Sequence, residues 1–126
     1  KLKYLDKNNE KRRNVANLYN NLLKDNKNIT LPKIENYCLP VFHLFVIRLE
    51  NEEKRNELKK YLNENNIDVG IHYPISINNL KCIDTNDKTV ISDEYSKKIL
   101  SLPMFPELKK KNINYICKKI TSFFIN

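Results

Sequence analysis

One glycine serves all 126 residues, and it lies in the stretch Ile67-Asp68-Val69-Gly70-Ile71-His72-Tyr73-Pro74-Ile75. A P-loop and a dinucleotide-binding fingerprint each need several glycines where backbone meets phosphate, so neither can be written in this chain. Ile67, Val69 and Ile71 alternate with Asp68, Gly70 and His72, the period of two that marks a half-buried strand over 67–73. Gly70 leaves bare the face it shares with Asp68 and His72, so another group can approach the backbone there. Pro74 disfavours helical backbone at Tyr73 and ends the ladder. A strand that stops by presenting His72 and Tyr73 at its tip reads as the edge of a site.

The length suits one domain with a real core. Hydrophobic residues make up 40% of the chain, with five phenylalanines, which argues for a folded domain. Asparagine pairs such as Asn8-Asn9 and Asn65-Asn66 read as surface filler. The net charge of +8 brings nucleic acid and anionic membranes into consideration. That charge is uneven: residues 1–33 carry nine Lys/Arg against three Asp/Glu, 34–75 carry five against seven, and 76–126 carry nine against five. The basic ends therefore read as solvated helix faces, and the Gly70 stretch lies in the acidic middle. Nucleic acid is not the expected partner, because no aromatic-basic interleaving marks the strands and no helix-turn-helix pattern stands out. Cys38, Cys82 and Cys117 are odd in number and lack CxxC spacing, which argues against a zinc knuckle and a complete disulfide framework. No apolar run approaches the roughly 20 residues of a membrane span, and no signal peptide is visible, so a cytoplasmic setting is the default.

Along the chain, residues 2–24 read as a long helix with Val15, Leu18, Tyr19 and Leu22 as its stripe and Ala16 and Leu23 beside them. Only Leu2 and Leu5 are apolar in its first half, which is expected to project or to meet a missing neighbour. Residues 25–28 are turn-like and 29–32 extended. The segment 41–49 is the most hydrophobic and reads as a central strand buried on both faces, with His43 inside it as a structural histidine. Asn51 is placed to cap a helix over 52–65, with Glu52 and Glu53 in its first turn and Leu58, Tyr61 and Leu62 facing inward. Asn65-Asn66 can end it. Residues 75–89 read as a long loop. Ser92 is placed to cap a short helix through Leu100, with Tyr95, Ile99 and Leu100 inward; 102–106 reads as an edge piece because of its prolines. A last helix over 107–124 buries Ile113, Ile116, Cys117, Ile120, Phe123 and Phe124, and begins unusually with Lys109, Lys110 and Lys111. Three or four short strands interleaved with helices predict an α/β (α+β) two-layer sandwich, with helices on one sheet face.

No metal motif can be built from two histidines about thirty residues apart, and no Ser or Cys comes with a recognisable base. A stand-alone catalytic apparatus is not visible. Six pieces do, however, occur in a familiar order: Leu5-Asp6-Lys7-x-Asn9-Glu10-Lys11-Arg12-Arg13; Tyr19 with Leu22-Leu23; Ile29-Thr30-Leu31-Pro32; His43-Leu44-Phe45-Val46-Ile47-Arg48; Gly70-Ile71-His72-Tyr73-Pro74-Ile75; and Leu100-Ser101-Leu102-Pro103-Met104-Phe105-Pro106-Glu107-Leu108. Together they resemble the C-terminal region of the DegT/DnrJ/EryC1/StrS aminotransferases, PLP-dependent nucleotide-sugar enzymes of fold type I. The resemblance implies a small, mainly antiparallel sheet with helices on one face, packed in the longer protein against a large PLP-binding domain. It implies that His72 and Tyr73 face the cofactor cleft and bind substrate, the nucleotide sugar or its phosphates; a turn with a satisfied histidine is the structural alternative. His43 and Arg48 are expected to be structural.

The chain departs from the family after Pro74-Ile75. There Ser76-Ile77-Asn78-Asn79-Leu80-Lys81-Cys82 stands in place of a Pro-Leu-His-Leu-Gln-like loop, so the sugar is not specified. The family's Schiff-base lysine, its pyridine-pairing aspartate and its phosphate loop belong to the large domain. PLP is therefore expected in the longer protein, a homodimer, with no cofactor and no catalytic residue in this chain. The start at Lys1, without Met, fits a fragment or separately produced domain, inactive alone. The alternative is a free-standing, non-catalytic interaction module of the same fold.

Overall fold

The computed structural model describes residues 2–84 and 87–125. Its centre is an antiparallel pair, β1 (Phe45–Arg48) and β2 (Ile99–Leu102), in the register Phe45↔Leu102, Val46↔Ser101, Ile47↔Leu100 and Arg48↔Ile99. The alternation of strand side chains sorts these pairs by face. Phe45, Ile47, Leu100 and Leu102 all enter the core, while Val46 and Arg48 stay half-buried on the other side. Single bridges widen the pair: Thr30 joins Arg48 at one edge and Gly70 joins Ser101 at the other. β2 is thus flanked on both sides.

Several expectations about strand ends are corrected. The strand expected over 41–49 is confined to Phe45–Arg48, and it buries one face, not two. Phe42 takes a positive φ of 47°, sparsely allowed for an aromatic residue, and this breaks the extended run before His43, which is exposed at a bend. The segment 67–73 keeps its alternation, with Ile67 and Val69 buried and Asp68 and His72 exposed. It pairs only through Gly70, whose N–H donates to the Ser101 carbonyl at 3.1 Å and whose carbonyl accepts from Ser101 N–H at 2.8 Å. Of the edge piece expected over 102–106 only Leu102 is strand, the end of inner strand β2, and Pro103, which lacks an N–H, stops it.

Helix α1 (Leu5–Leu23) follows a short 3-10 turn (Leu2–Tyr4) and buries Val15, Ala16, Tyr19 and Leu23. At about 100° per residue these four share one arc, and Leu22 falls on its flank, which is why it is exposed and not part of the stripe. Leu2, Tyr4 and Leu5 are exposed, as expected of a weak first half. Helix α2 (Glu52–Glu64) is built as its caps dictate: Asn51 Oδ1 accepts from Lys54 N–H at 2.8 Å, and Asn66 supplies the left-handed exit at φ 59°. Leu58 and Leu62 are fully buried, and Arg55 is buried with them.

Helix α3 spans Val90–Lys98, so Ser92 lies inside it and Thr89 holds the N-cap position, its hydroxyl donating to Asn78 Oδ1 and not capping the helix backbone. Ile99 and Leu100 leave the helix for β2, where pairing with β1 satisfies their backbone. Tyr95 faces outward, its ring 4.1 Å from the Arg48 guanidinium carbon, and Ser96 takes the buried position. The last helix, α4 (Lys110–Phe123), starts later than expected because Leu108 N–H closes a turn on the Phe105 carbonyl. It buries Ile113, Ile116, Cys117 and Ile120 and packs on α1 and α2. The result is a small antiparallel sheet with helices on its core face. No helix among the described residues is long and apolar enough to cross a membrane, and all three cysteines are free thiols.

Candidate functional site at the Gly70–Tyr73 tip

Gly70 is bare for a reason visible in the fold. A Cβ added there would lie 2.6 Å from His72 Cε1 and 3.0 Å from Nδ1, so the group that approaches the backbone is the His72 imidazole itself. The ring folds back over Gly70, and its Nδ1 lies 2.9 Å from Ser101 Oγ. Ser101 points away from the core face of β2 and is nonetheless buried. Around them is a hollow of about 330 Å³ whose walls include Leu44, Asp68 and Met104.

A serine–histidine contact invites comparison with a nucleophile and its base. The Ser101 hydroxyl is buried, and among the described residues no carboxylate hydrogen-bonds to the ring. A nucleophile needs access and a base oriented by a third group, and neither is present. The arrangement leaves His72 exposed, with its Nδ1 held by Ser101 Oγ.

Tyr73 goes elsewhere. Its φ of 60° turns the chain sharply, and the side chain is 78% exposed. It borders a second hollow of about 940 Å³, between the following loop and α3, whose lining is dominated by Ile75, Ile77, Leu80, Ile83 and Ile99. His72 and Tyr73 are therefore neighbours in sequence that line different hollows.

The loop is not featureless. A 3-10 turn (Ile77–Asn79) is tied to α3 through Asp93, whose carboxylate accepts from Ser76 Oγ and, at 2.6 Å, from Asn79 Nδ2. Ser101, Asp93 and Arg55 were not singled out from sequence. Arg55 carried a usable signal, since it lies three residues before Leu58 on the inner face of α2. Its guanidinium is satisfied by Asn56, by Glu52 at 3.2 Å and by the Ile99 carbonyl.

None of the described lysines is buried, and no run of glycines exists to cradle a phosphate. Nor do the described residues place three potential metal ligands together.

The model of the DegT/DnrJ/EryC1/StrS aminotransferase family matches residues 1–121. The chain is 31% identical over 125 residues to dTDP-3-amino-3,6-dideoxy-alpha-D-galactopyranose transaminase of Aneurinibacillus thermoaerophilus, covering 98% of this chain and 33% of that protein. It is 32% identical over 130 residues to a pleiotropic regulatory protein of Geobacillus stearothermophilus, covering 98% and 34%. Among solved structures, S. venezuelae DesV in complex with a ketimine intermediate superposes with a TM-score of 0.88 at 26% identity, covering 97% of this chain and 33% of that one. NtdA from Bacillus subtilis with bound cofactor PMP gives 0.73 at 25% identity, covering 92% and 30%. The chain spans about a third of the length of these relatives. On its motifs, its fold and a family match over nearly its whole length, the chain belongs to the DegT/DnrJ/EryC1/StrS aminotransferase family.

Proposed function

We propose that this chain serves as the small domain of a longer PLP-dependent aminotransferase that moves an amino group from an amino-acid donor, glutamate, to a keto sugar carried on a nucleotide. One observation carries the reading: the match is nearly complete along this chain but covers only a third of relatives that include dTDP-sugar transaminases. PLP, when bound in the large domain, supplies the electron sink and carries the amino group. This chain's part is shape, closure and substrate contact, within a cytoplasmic homodimer.

In this reading His72 offers a ring nitrogen to sugar or phosphate oxygens, and Tyr73 offers a phenol. Exposed apolar side chains support a covering neighbour. Ile75, Ile77 and Ile83 line one hollow, and Leu2, Tyr4 and Leu5 stand out on the first turns of the chain.

The test compares this chain with the longer protein for PLP absorbance and amino transfer to a nucleotide-linked keto sugar. Transfer is expected only in the longer protein, and His72→Ala there lowers kcat/KM by about 10-fold, the scale of one lost hydrogen bond to a charged group. An unchanged kcat/KM removes His72 from the cleft. A longer protein without PLP or transfer favours the free-standing module.

A further inference from the structure

Ser101 is buried, yet its side chain leaves the core face of β2, and its one side-chain hydrogen-bond partner among the described residues is His72 Nδ1 at 2.9 Å. A buried hydroxyl that only accepts leaves its own proton unpaired, which costs free energy. The economical arrangement has Ser101 Oγ–H donating to Nδ1. A neutral imidazole carries one proton, so an Nδ1 that accepts places that proton on Nε2. Gly70 completes the arrangement, because any Cβ at that position would collide with the ring where Ser101 holds it.

We infer that Ser101 is a positioning residue: it fixes the neutral His72 ring in the Nε2–H form and turns that N–H outward as a donor for a ligand oxygen. The inference rests on the proposed substrate role of His72 for its meaning, though its physical content is independent of any ligand. It names a specificity element outside the Gly70–Ile75 stretch, on the neighbouring strand, and assigns Gly70 the task of making room for the ring. A donor at Nε2 selects a hydroxyl or phosphoryl oxygen as its partner and disfavours another donor at that point.

The experiment labels the whole chain with nitrogen-15 and records ring-nitrogen correlation spectra at about pH 9, above the ordinary imidazole range. His72 and His43 are its two histidines, so assignment needs one His43→Gln control. The expected result is a single His72 tautomer with Nδ1 unprotonated and Nε2 protonated. Ser101→Ala and, independently, Gly70→Ala convert it to an averaged mixture, while Ser101→Thr preserves it. The reverse tautomer in the unmodified chain, which needs no variant to fold, overturns the inference. So does a His72 spectrum untouched by Ser101→Ala in a chain whose amide spectrum remains dispersed. In the longer protein, Ser101→Ala raises KM for the nucleotide-linked sugar about 3- to 10-fold with a smaller change in kcat, and Ser101→Thr restores it. An unchanged KM in Ser101→Ala beside a raised KM in His72→Ala overturns the positioning role. A His72→Ala variant with no effect overturns the substrate reading instead, whatever the tautomer.

Discussion

The inner layer and the segment following Tyr73 are held by different chemistry. In the inner layer, Tyr19 stacks on Phe45 with ring centroids 4.9 Å apart, and fully buried Ile47, Leu100, Ile113 and Ile120 share the same core. The segment 75–89 leaves Ile75, Ile77, Leu80 and Ile83 exposed, and its hold on α3 is polar, through Asp93. Apolar packing spreads each contact over many neighbours, so losing one side chain is felt globally. A polar tie concentrates the hold on a few groups, and its loss is felt locally. The segment bearing the departure from the family pattern is the one tied to α3 by polar groups.

The largest expected effect lies in the inner layer. Phe45→Ala removes a fully buried ring beside Tyr19 and Phe42, and about 3–5 kcal/mol of stability goes with it. Urea denaturation measures this, and hydrogen exchange is expected to rise in both regions together. A loss confined to β1 breaks the claim of one cooperative core.

The same layer answers to alkaline pH. Burial pushes the Cys117 thiol up to about 12 from an ordinary 9.0, and burial followed by the nearby Cys117 pushes the Tyr19 phenol up as well. Above about pH 9 the unfolded chain releases a thiol proton that the folded chain keeps, so the unfolded state binds fewer protons. Stability present below that pH is therefore lost as pH rises towards about 12. Cys117→Ala is expected to flatten that slope in denaturation midpoints taken at several pH values. A slope unaffected by Cys117→Ala assigns the alkaline loss to Tyr19 or to other groups.

The polar tie gives a smaller and more local effect. Asp93→Ala removes the acceptor shared by Ser76 Oγ and Asn79 Nδ2, leaving their bond to each other, and the expected cost is about 1–2 kcal/mol. Its signature is faster amide exchange over 76–80, with protection in β1 and α4 kept. Equal exposure of both regions removes the distinction between them.

The same contrast explains what could be read from sequence. Helix α2 was legible end to end because its start and stop are local chemistry: Asn51 reaches three residues ahead, and Asn66 needs only its own backbone. The ends of β1 and β2 were not: Phe42 takes a positive φ that its residue type does not signal, and Ile99 is extended by pairing with Arg48, far away in sequence. Local pattern favoured a longer helix through Leu100, and pairing with β1 overrode it. His72 could be singled out as a strand tip, but its partner Ser101 lies 29 residues away and becomes a neighbour only through register. The bare face of Gly70 marks a place of close approach in the sequence, and the fold supplies the approaching group, the His72 ring.

The smallest effect in this chain separates the two functional readings most sharply. Ile77 is 73% exposed, so Ile77→Ser moves little apolar surface into or out of water, and stability changes by less than about 0.5 kcal/mol. Covered by a large domain in a longer protein, the same side chain loses its contact with water, and covering an isoleucine contributes about 1.5–3 kcal/mol. Thermal unfolding of Ile77→Ser in both contexts measures the difference directly. A loss of stability in the longer protein, set against no change here, identifies the 75–83 surface as covered by the rest of that protein. Equal and negligible changes in both leave the apolar loop facing solvent, and the small-domain reading then rests on the His72 face alone.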